Sequence, residues 1–332
     1  MKKLLTPVFV TGLLALAVLI GPMAGQALAA EKVTFVMSWI PDARWASEMV
    51  AKYRGYFQAE GLEVTLKWAK GGRNAAKQTA TGAAHLGAVA GSDILPSRLK
   101  GIPLISIAST LSKTGTSFIS LPKAGIRTPK DFIGKKVGVQ RGSTTWVGLL
   151  ALLNRYGMNI DQLNKIEVGF GLKPLLAGVV DVRPAMYYNE VVLARHKGIA
   201  LNVIWIPEHG VDLVGTGIAT TEKYLKANPK VVQGYIRAVL KGYEHAKRDP
   251  EDAIKALLQY KPEHDAAYQR KVLKVLHTKI SVPAKNGLYG WHDPTEWNNT
   301  QENLVKFGVM KKRTDLSKAY TNQFVEEFYG KK

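Results

Sequence analysis

The chain has 332 residues, enough for two domains of ordinary size, and its 46% hydrophobic and 22% charged content belongs to a folded protein. It has no cysteine, which excludes disulfide scaffolds, thiol catalysis, cysteine-held metal clusters and lipid attachment at a leader cysteine. The formal charge of +20 is interleaved with acids, and its densest groups, Lys135-Lys136 and Lys311-Lys312-Arg313, are too short for polybasic tracts, so a solvated basic surface is expected and no nucleic-acid partner.

Lys2 and Lys3 precede an apolar run from Val8 to Ile20, and Ala27-Leu28-Ala29 supplies a small-x-small cleavage pattern. The run falls short of the roughly 20 apolar residues that span a bilayer. Residues 1–29 are therefore expected to be a signal peptide cleaved near Ala29/Ala30. The mature chain, at +18 once Lys2 and Lys3 are removed, is expected free in a bacterial periplasm and not as a lipoprotein.

Val33 to Ile40 reads as a strand, followed by a helix over Ala43 to Tyr53 that stops near Gly55. A second strand, Glu63 to Trp68, leads through Lys70-Gly71-Gly72-Arg73-Asn74 into a helix ending at Gly82. His85 to Ala90 is a small-residue strand, Gly91-Ser92-Asp93 opens the next helix, and Pro103 to Ala108 is a buried strand. Such alternation predicts βαβ units and a mostly parallel sheet. A second unit begins near Ser117, with strands at Phe118 to Leu121, Lys136 to Gln140, Lys165 to Gly169, Val179 to Met186 and Leu201 to Ile206. Its helices start at Thr128-Pro129-Lys130-Asp131, at Gly142-Ser143-Thr144, at Leu172 and at Asn189, a good N-cap with Glu190 beside it. From about Thr216 the chain returns to the first unit with helices over Glu222 to Ala227, Lys230 to Lys247 and Pro250 to Gln259, and a helical remainder.

Five strand-to-helix junctions carry polar or aromatic residues: Trp39/Asp42/Trp45, Gly72/Arg73/Asn74, Ser92/Asp93, Gly142/Ser143/Thr144 and Tyr187/Tyr188/Asn189/Glu190. Helix capping explains each polar residue taken singly. It does not require Trp39 or the tyrosine pair, and in open α/β sheets ligands bind at the strands' carboxyl ends. The candidate ligand-binding residues are therefore Trp39, Asp42, Trp45, Asn74, Ser92, Ser143, Thr144, Tyr187, Tyr188, Asn189 and Glu190. Trp39 and the tyrosines offer faces for a planar ring, worth about 0.5–1.5 kcal/mol per contact beyond burial. Glu190 or Asp42 can accept from ring N–H or amino groups, about 1.5–3 kcal/mol for a charge-assisted bond. Amides at Gly142 to Thr144 suit an anion or an electronegative substituent. Arg183 either pairs with Asp181 or reaches the pocket. No nucleophile elbow, zinc-protease motif, Walker loop or dinucleotide fingerprint is present, since Gly169-Phe170-Gly171 lacks the third glycine, so no catalytic residue, metal site or cofactor is assigned.

Four groups of residues carry a family resemblance: Trp39-x-Pro41-Asp42 with Gly55-Tyr56-Phe57 and Glu60-Gly61-Leu62; Gly71-Gly72; Gly125-Ile126, Pro129-x-Asp131 and Gly134-Lys135-Lys136-Val137-Gly138-Val139; and Tyr187-Tyr188-Asn189-Glu190 with Trp297 and Phe307-Gly308. They resemble periplasmic solute-binding proteins of the thiamine-pyrimidine-precursor type, close to the nitrate, sulfonate and taurine receptors. The resemblance implies a type II periplasmic binding fold, two α/β lobes with the ligand cleft between them. It places lobe I at 30–116 plus 217–332 and lobe II at 117–216. It also implies a non-enzymatic, monomeric receptor that delivers a small molecule to a cognate ABC permease. In pyrimidine-binding members Trp39, the tyrosine pair and Glu190 would stack on and hydrogen-bond an aminopyrimidine. Asp42 stands where such members usually have Asn, Arg44-Trp45 replaces a polar pair containing histidine, and Val191 replaces a frequent proline. A flavin, or an anionic sulfonate drawn by Arg44 and Arg73, therefore remains open as ligand. The eukaryotic pyrimidine synthase of thiamine biosynthesis also resembles this family and supplies an enzymatic alternative, although its cysteine-rich stretch has no counterpart here.

Overall fold

β1 (Glu31–Met37), β2 (Leu62–Trp68), β3 (Leu86–Ala90) and β4 (Leu104–Lys113) follow one another with helices between them in a computed structural model that describes residues 30–331. The segment expected to be a signal peptide lies outside the described residues. β2 buries Leu62, Val64 and Leu66 and exposes Glu63, Thr65 and Lys67, the alternation of an edge strand with one solvated face. β1 pairs in parallel with β2 and β3. Over this sheet the helix Pro229–Arg248 lays Val232, Tyr235, Ile236, Val239 and Tyr243 at helical spacing and packs against the helix Ala46–Tyr53.

The chain then builds a second sheet from β5 (Thr116–Ser120), β6 (Lys136–Val139), β7 (Asn164–Glu167), β8 (Val182–Met186) and β9 (Asn202–Trp205), in the order β7-β6-β8-β5-β9. It returns as β10 (Val214–Thr221) to complete a first sheet ordered β2-β1-β3-β10-β4. β10 opposes both its neighbours, and so does β5. Each sheet thus has four strands running one way and one against them. The fold is the expected two-lobed α/β architecture, two mixed but mostly parallel sheets flanked by helices.

β10 is the main element that sequence periodicity does not predict. Its Gly215 and Gly217 break the apolar pattern, yet their missing side chains let the strand enter the sheet's middle. A Cβ on Gly215 would lie 1.8 Å from the Leu111 carbonyl oxygen, and one on Gly217 would lie 2.4 Å from that of Ala108. Smaller differences have local causes. β8 starts at Val182 because the Asp181 carboxylate accepts the Lys136 N–H at 2.8 Å. The helix expected from Thr128 is a single 3-10 turn, Pro129–Phe132, in which the Asp131 carboxylate accepts the Thr128 N–H at 2.8 Å.

The chain crosses between sheets at Thr114-Gly115 and between Trp205 and Val214. The Trp205 indole N–H donates to the Thr114 carbonyl at 2.8 Å and ties the crossings together. The lobe divisions expected after residues 116 and 216 fall inside β5 and β10. Among the described residues, no helix is long and apolar enough to cross a membrane.

Candidate ligand-binding site

The carboxyl ends of β1, β3, β7 and β8 open onto a cavity of about 510 Å³ lined from both lobes. Trp39, after β1, meets Phe170, after β7, with ring centroids 4.9 Å apart and planes at 56°. Phe170 is 68% exposed.

Tyr188 and Glu190 line the same cavity after β8. β8 ends at Met186, and the chain enters a wide π-helical turn, Tyr187–Val191, before the helix Val192–His196. Asn189 is therefore inside the turn rather than its N-cap. Its side-chain oxygen accepts from the Tyr268 hydroxyl at 2.9 Å. Successive residues of the turn diverge. Tyr188 lines the cavity beneath the Arg44 guanidinium, 5.1 Å from its ring. Burial pushes its phenol up in pKa, with Arg44 opposing. Tyr187 points away, its ring 5.0 Å from that of Trp205 and covered by Lys279.

Glu190 is held from two sides. One carboxylate oxygen accepts the Met186 N–H at 2.9 Å, and the other lies 4.0 Å from the fully buried Arg183 guanidinium. Burial pulls the Arg183 pKa down, with Glu190 opposing. Arg183 also donates to the Pro184 carbonyl at 2.9 Å and to that of Gly169 at 3.2 Å. Its role is to brace the turn that carries Phe170. Neither a pairing with Asp181 nor direct entry into the pocket describes it.

Two ion pairs and one arginine–carbonyl bond surround the cavity. Arg44 grips Asp42 through two bonds of 2.6 and 3.0 Å, and Arg141 donates to Glu167 at 2.7 Å. Arg73 donates to the Gly142 carbonyl across the cleft at 2.5 Å. Asp93 lies near Arg73, and no hydrogen bond to its carboxylate is found among the described residues. Burial pushes it up to about 6, with Arg73 opposing. The charged residues on the lining are thus Arg44, Arg73 and Arg141 against Asp93, Glu167 and Glu190, three of each sign.

Of the residues expected at the site, Trp39, Ser143, Thr144, Tyr188, Asn189 and Glu190 line this cavity. Five stand apart from it. Trp45 is 1% exposed and packs edge-on against Phe35 in the first lobe's core. Asn74 is exposed and bonds Gln78 one turn along its own helix. Asp42 is taken up by Arg44 and caps its turn, accepting the Arg44 N–H at 3.0 Å. Tyr187 faces the crossing. Ser92 faces a neighbouring chamber of about 1050 Å³, which shares Arg73, Asp93, Gly142 and Ser143 with the first cavity. Ser143 has a capping role as well, its hydroxyl accepting the Trp146 N–H at 3.2 Å.

Sequence reasoning passes over Phe170, Gln140, Arg141 and Glu167 as site residues. A phenylalanine between two glycines, with no strand or helix to pack it, was the available signal for Phe170. Away from the cleft, His245, Asp249 and Asp252 place ligand-type atoms within 4.8 Å of one another. Arg54 already pairs with Asp252, and Asp249 accepts the Asp252 N–H at 3.0 Å.

A family model described as NMT1/THI5 like matches residues 43–253. The chain belongs to the NMT1/THI5-like family. Riboflavin-binding protein RibY of Chloroflexus aurantiacus is 28% identical over 306 residues, 89% of this chain and 86% of that protein. The formylaminopyrimidine-binding protein of Halalkalibacterium halodurans is 27% identical, covering 81% of this chain and 83% of its own. A further relative, 4-amino-5-hydroxymethyl-2-methylpyrimidine phosphate synthase of Aspergillus parasiticus, is 23% identical, covering 90% of this chain and 88% of its own. Among solved structures, the periplasmic aliphatic sulphonate binding protein SsuA from Escherichia coli superposes with a TM-score of 0.70 at 14% identity, over 91% of this chain and 99% of that one. At that identity the likeness speaks for the fold, which is that of a periplasmic binding protein.

Proposed function

We propose that the protein is the extracytoplasmic receptor of an ABC importer, binding a small flat heterocycle of the aminopyrimidine or flavin class between its two lobes. The observation that carries this reading is an aromatic cleft whose charges cancel. Trp39, Phe170 and Tyr188 supply ring faces, while Arg44 and Arg141 are each held by a carboxylate and Arg73 is bonded to Gly142. A sulfonate needs an unengaged cation or a set of free donors, and freeing Arg44 from its largely buried pair with Asp42 to supply one is costly. A planar neutral ring needs neither. It gains from stacking and from edge hydrogen bonds, and micromolar binding requires about −8 kcal/mol.

Relatives named for riboflavin and for formylaminopyrimidine support the ligand class, and the fold supports a receptor that closes on its ligand. The expected leader, with no cysteine to lipidate, supports a free periplasmic monomer that docks on an inner-membrane permease. Lobe I, 30–116 and 217–332, and lobe II, 117–216, are the two units proposed, with the few residues by which these divisions cut β5 and β10 going to each strand's own sheet. Binding without turnover is the function proposed here. Arg44, Arg141 and Glu190 of the cleft are held by protein partners, and its described lining carries no histidine.

The deciding measurement is native mass spectrometry of protein from its own periplasm, followed by calorimetry with formylaminopyrimidine, riboflavin and an alkanesulfonate. A co-purified heterocycle, with micromolar or tighter binding of one of the first two, is expected. Preference for the sulfonate would overturn the ligand class. A change of intact mass on incubation with pyridoxal phosphate and iron would replace the receptor by a synthase.

A further inference from the structure

Resting on the heterocycle reading above, we propose that Asp93 is the residue that selects the ligand: its carboxylate accepts a hydrogen bond from a ring N–H or amino group and turns away anions of the sulfonate class. Three observations place it in that role. It is one of four residues that line both the 510 Å³ cavity and the 1050 Å³ chamber beside it, so it stands at the neck between them. Unlike Asp42, Glu167 and Glu190, it receives no hydrogen bond within the described residues. It also stands on the wall opposite Glu190, at the start of the helix Gly91–Leu99 that follows β3.

An acceptor left open in a recessed cleft is satisfied when the ligand brings a donor, and a ligand lacking that donor leaves it desolvated and unpaired. An anion there meets a like charge instead. The charged groups lining the two chambers with Asp93 are Arg73 and Lys77 on the helix Gly72–Ala80, Lys100 at the end of its own helix, Lys311 and Lys312, and Arg44, Arg141, Glu167 and Glu190 of the first cavity. Of these only Arg73 acts on it appreciably, and burial outweighs it, so the carboxyl takes up its proton near pH 6. The protonated form loses its charge and its strength as an acceptor. Ligand affinity should therefore hold above pH 7 and fall as pH drops through 6.

The test is calorimetry of the full-length mature protein and its Asp93→Asn and Asp93→Ser variants at pH 5 and pH 8, with formylaminopyrimidine, riboflavin and an alkanesulfonate as probes. The wild type should bind a heterocycle about tenfold more weakly at pH 5 than at pH 8. Both variants should bind it about tenfold more weakly at pH 8, lose the pH dependence, and gain affinity for the sulfonate. If the wild type binds a heterocycle and the variants match it in affinity and pH profile, the heterocycle reading stands and the role of Asp93 falls. If the wild type favours the sulfonate, both fall. Should neither heterocycle bind, the function proposed above fails and the sulfonate arm still decides: no gain on removing the charge overturns the selector.

Discussion

Glu190 and Asp93 line one cavity from opposite lobes, yet only Glu190 already has protein partners. On the second lobe, the π turn hands Glu190 to the Met186 N–H and to Arg183, and Arg183 in turn braces Gly169 beneath Phe170. On the first lobe, Asp93 receives no hydrogen bond among the described residues, and its ionised form is opposed by burial. One wall is finished before any ligand arrives, and the other is finished by it. A carboxylate in a pocket is thus not by itself a ligand contact; whether its lone pairs are already taken decides.

The sharpest way to break this contrast is Glu190→Ala. It strands a fully buried guanidinium and an orphaned N–H, and should cost about 3–5 kcal/mol in urea unfolding. A loss below about 1 kcal/mol would show that the second wall does not depend on that pair. Next in size is Glu48, buried in the first lobe's core with one oxygen lacking a partner and pushed up to about 7 by burial. The folded state takes up this proton more readily than the unfolded chain does. The contribution of Glu48 to stability is therefore fully present below about pH 4.5 and is lost as pH rises through 7, by about 3 kcal/mol in all. Glu48→Gln should remove that slope in thermal melts between pH 5 and 8, and an unchanged slope would assign the decline to other groups.

Asp93→Asn should move stability the other way from Glu190→Ala. Its raised pKa penalises the ionised form, so the variant should be more stable by about 1–2 kcal/mol at pH 8, discounting for partial exposure. The gain should shrink below pH 6 and vanish near pH 4, and a loss at pH 8 would reveal a partner for the carboxylate. The smallest effect expected is that of Phe170→Ala. It should leave stability within about 0.5 kcal/mol, as surface changes do, and weaken heterocycle binding about three- to tenfold through the lost ring contact. An affinity equal to wild type would remove the second lobe's aromatic from the site.

The alternation of strands and helices was legible in the sequence because apolar runs and glycine stops recur in register with it. β10 was not, since its small residues answer to the backbones on either side and not to any local period. At the site, Trp39 and Tyr188 were legible as aromatics that capping does not need. Tyr187 carried the same signal and faces elsewhere, because the π turn that separates neighbouring side chains leaves no mark in composition. Asp42 and Arg44 read as two pocket groups and prove to be one ion pair, a cancellation that only distance reveals. Trp45 looked like a cleft residue from its place beside Trp39, but one further turn of chain carries it into the core.

The balanced charges of the cleft sit within a chain of formal charge +20. Small anions will be drawn to such a surface and concentrated around it, but inside the opening Arg44 and Arg141 are already paired with carboxylates. Added salt should accordingly release the protein from a heparin column while leaving the dissociation constant of its cargo almost unmoved.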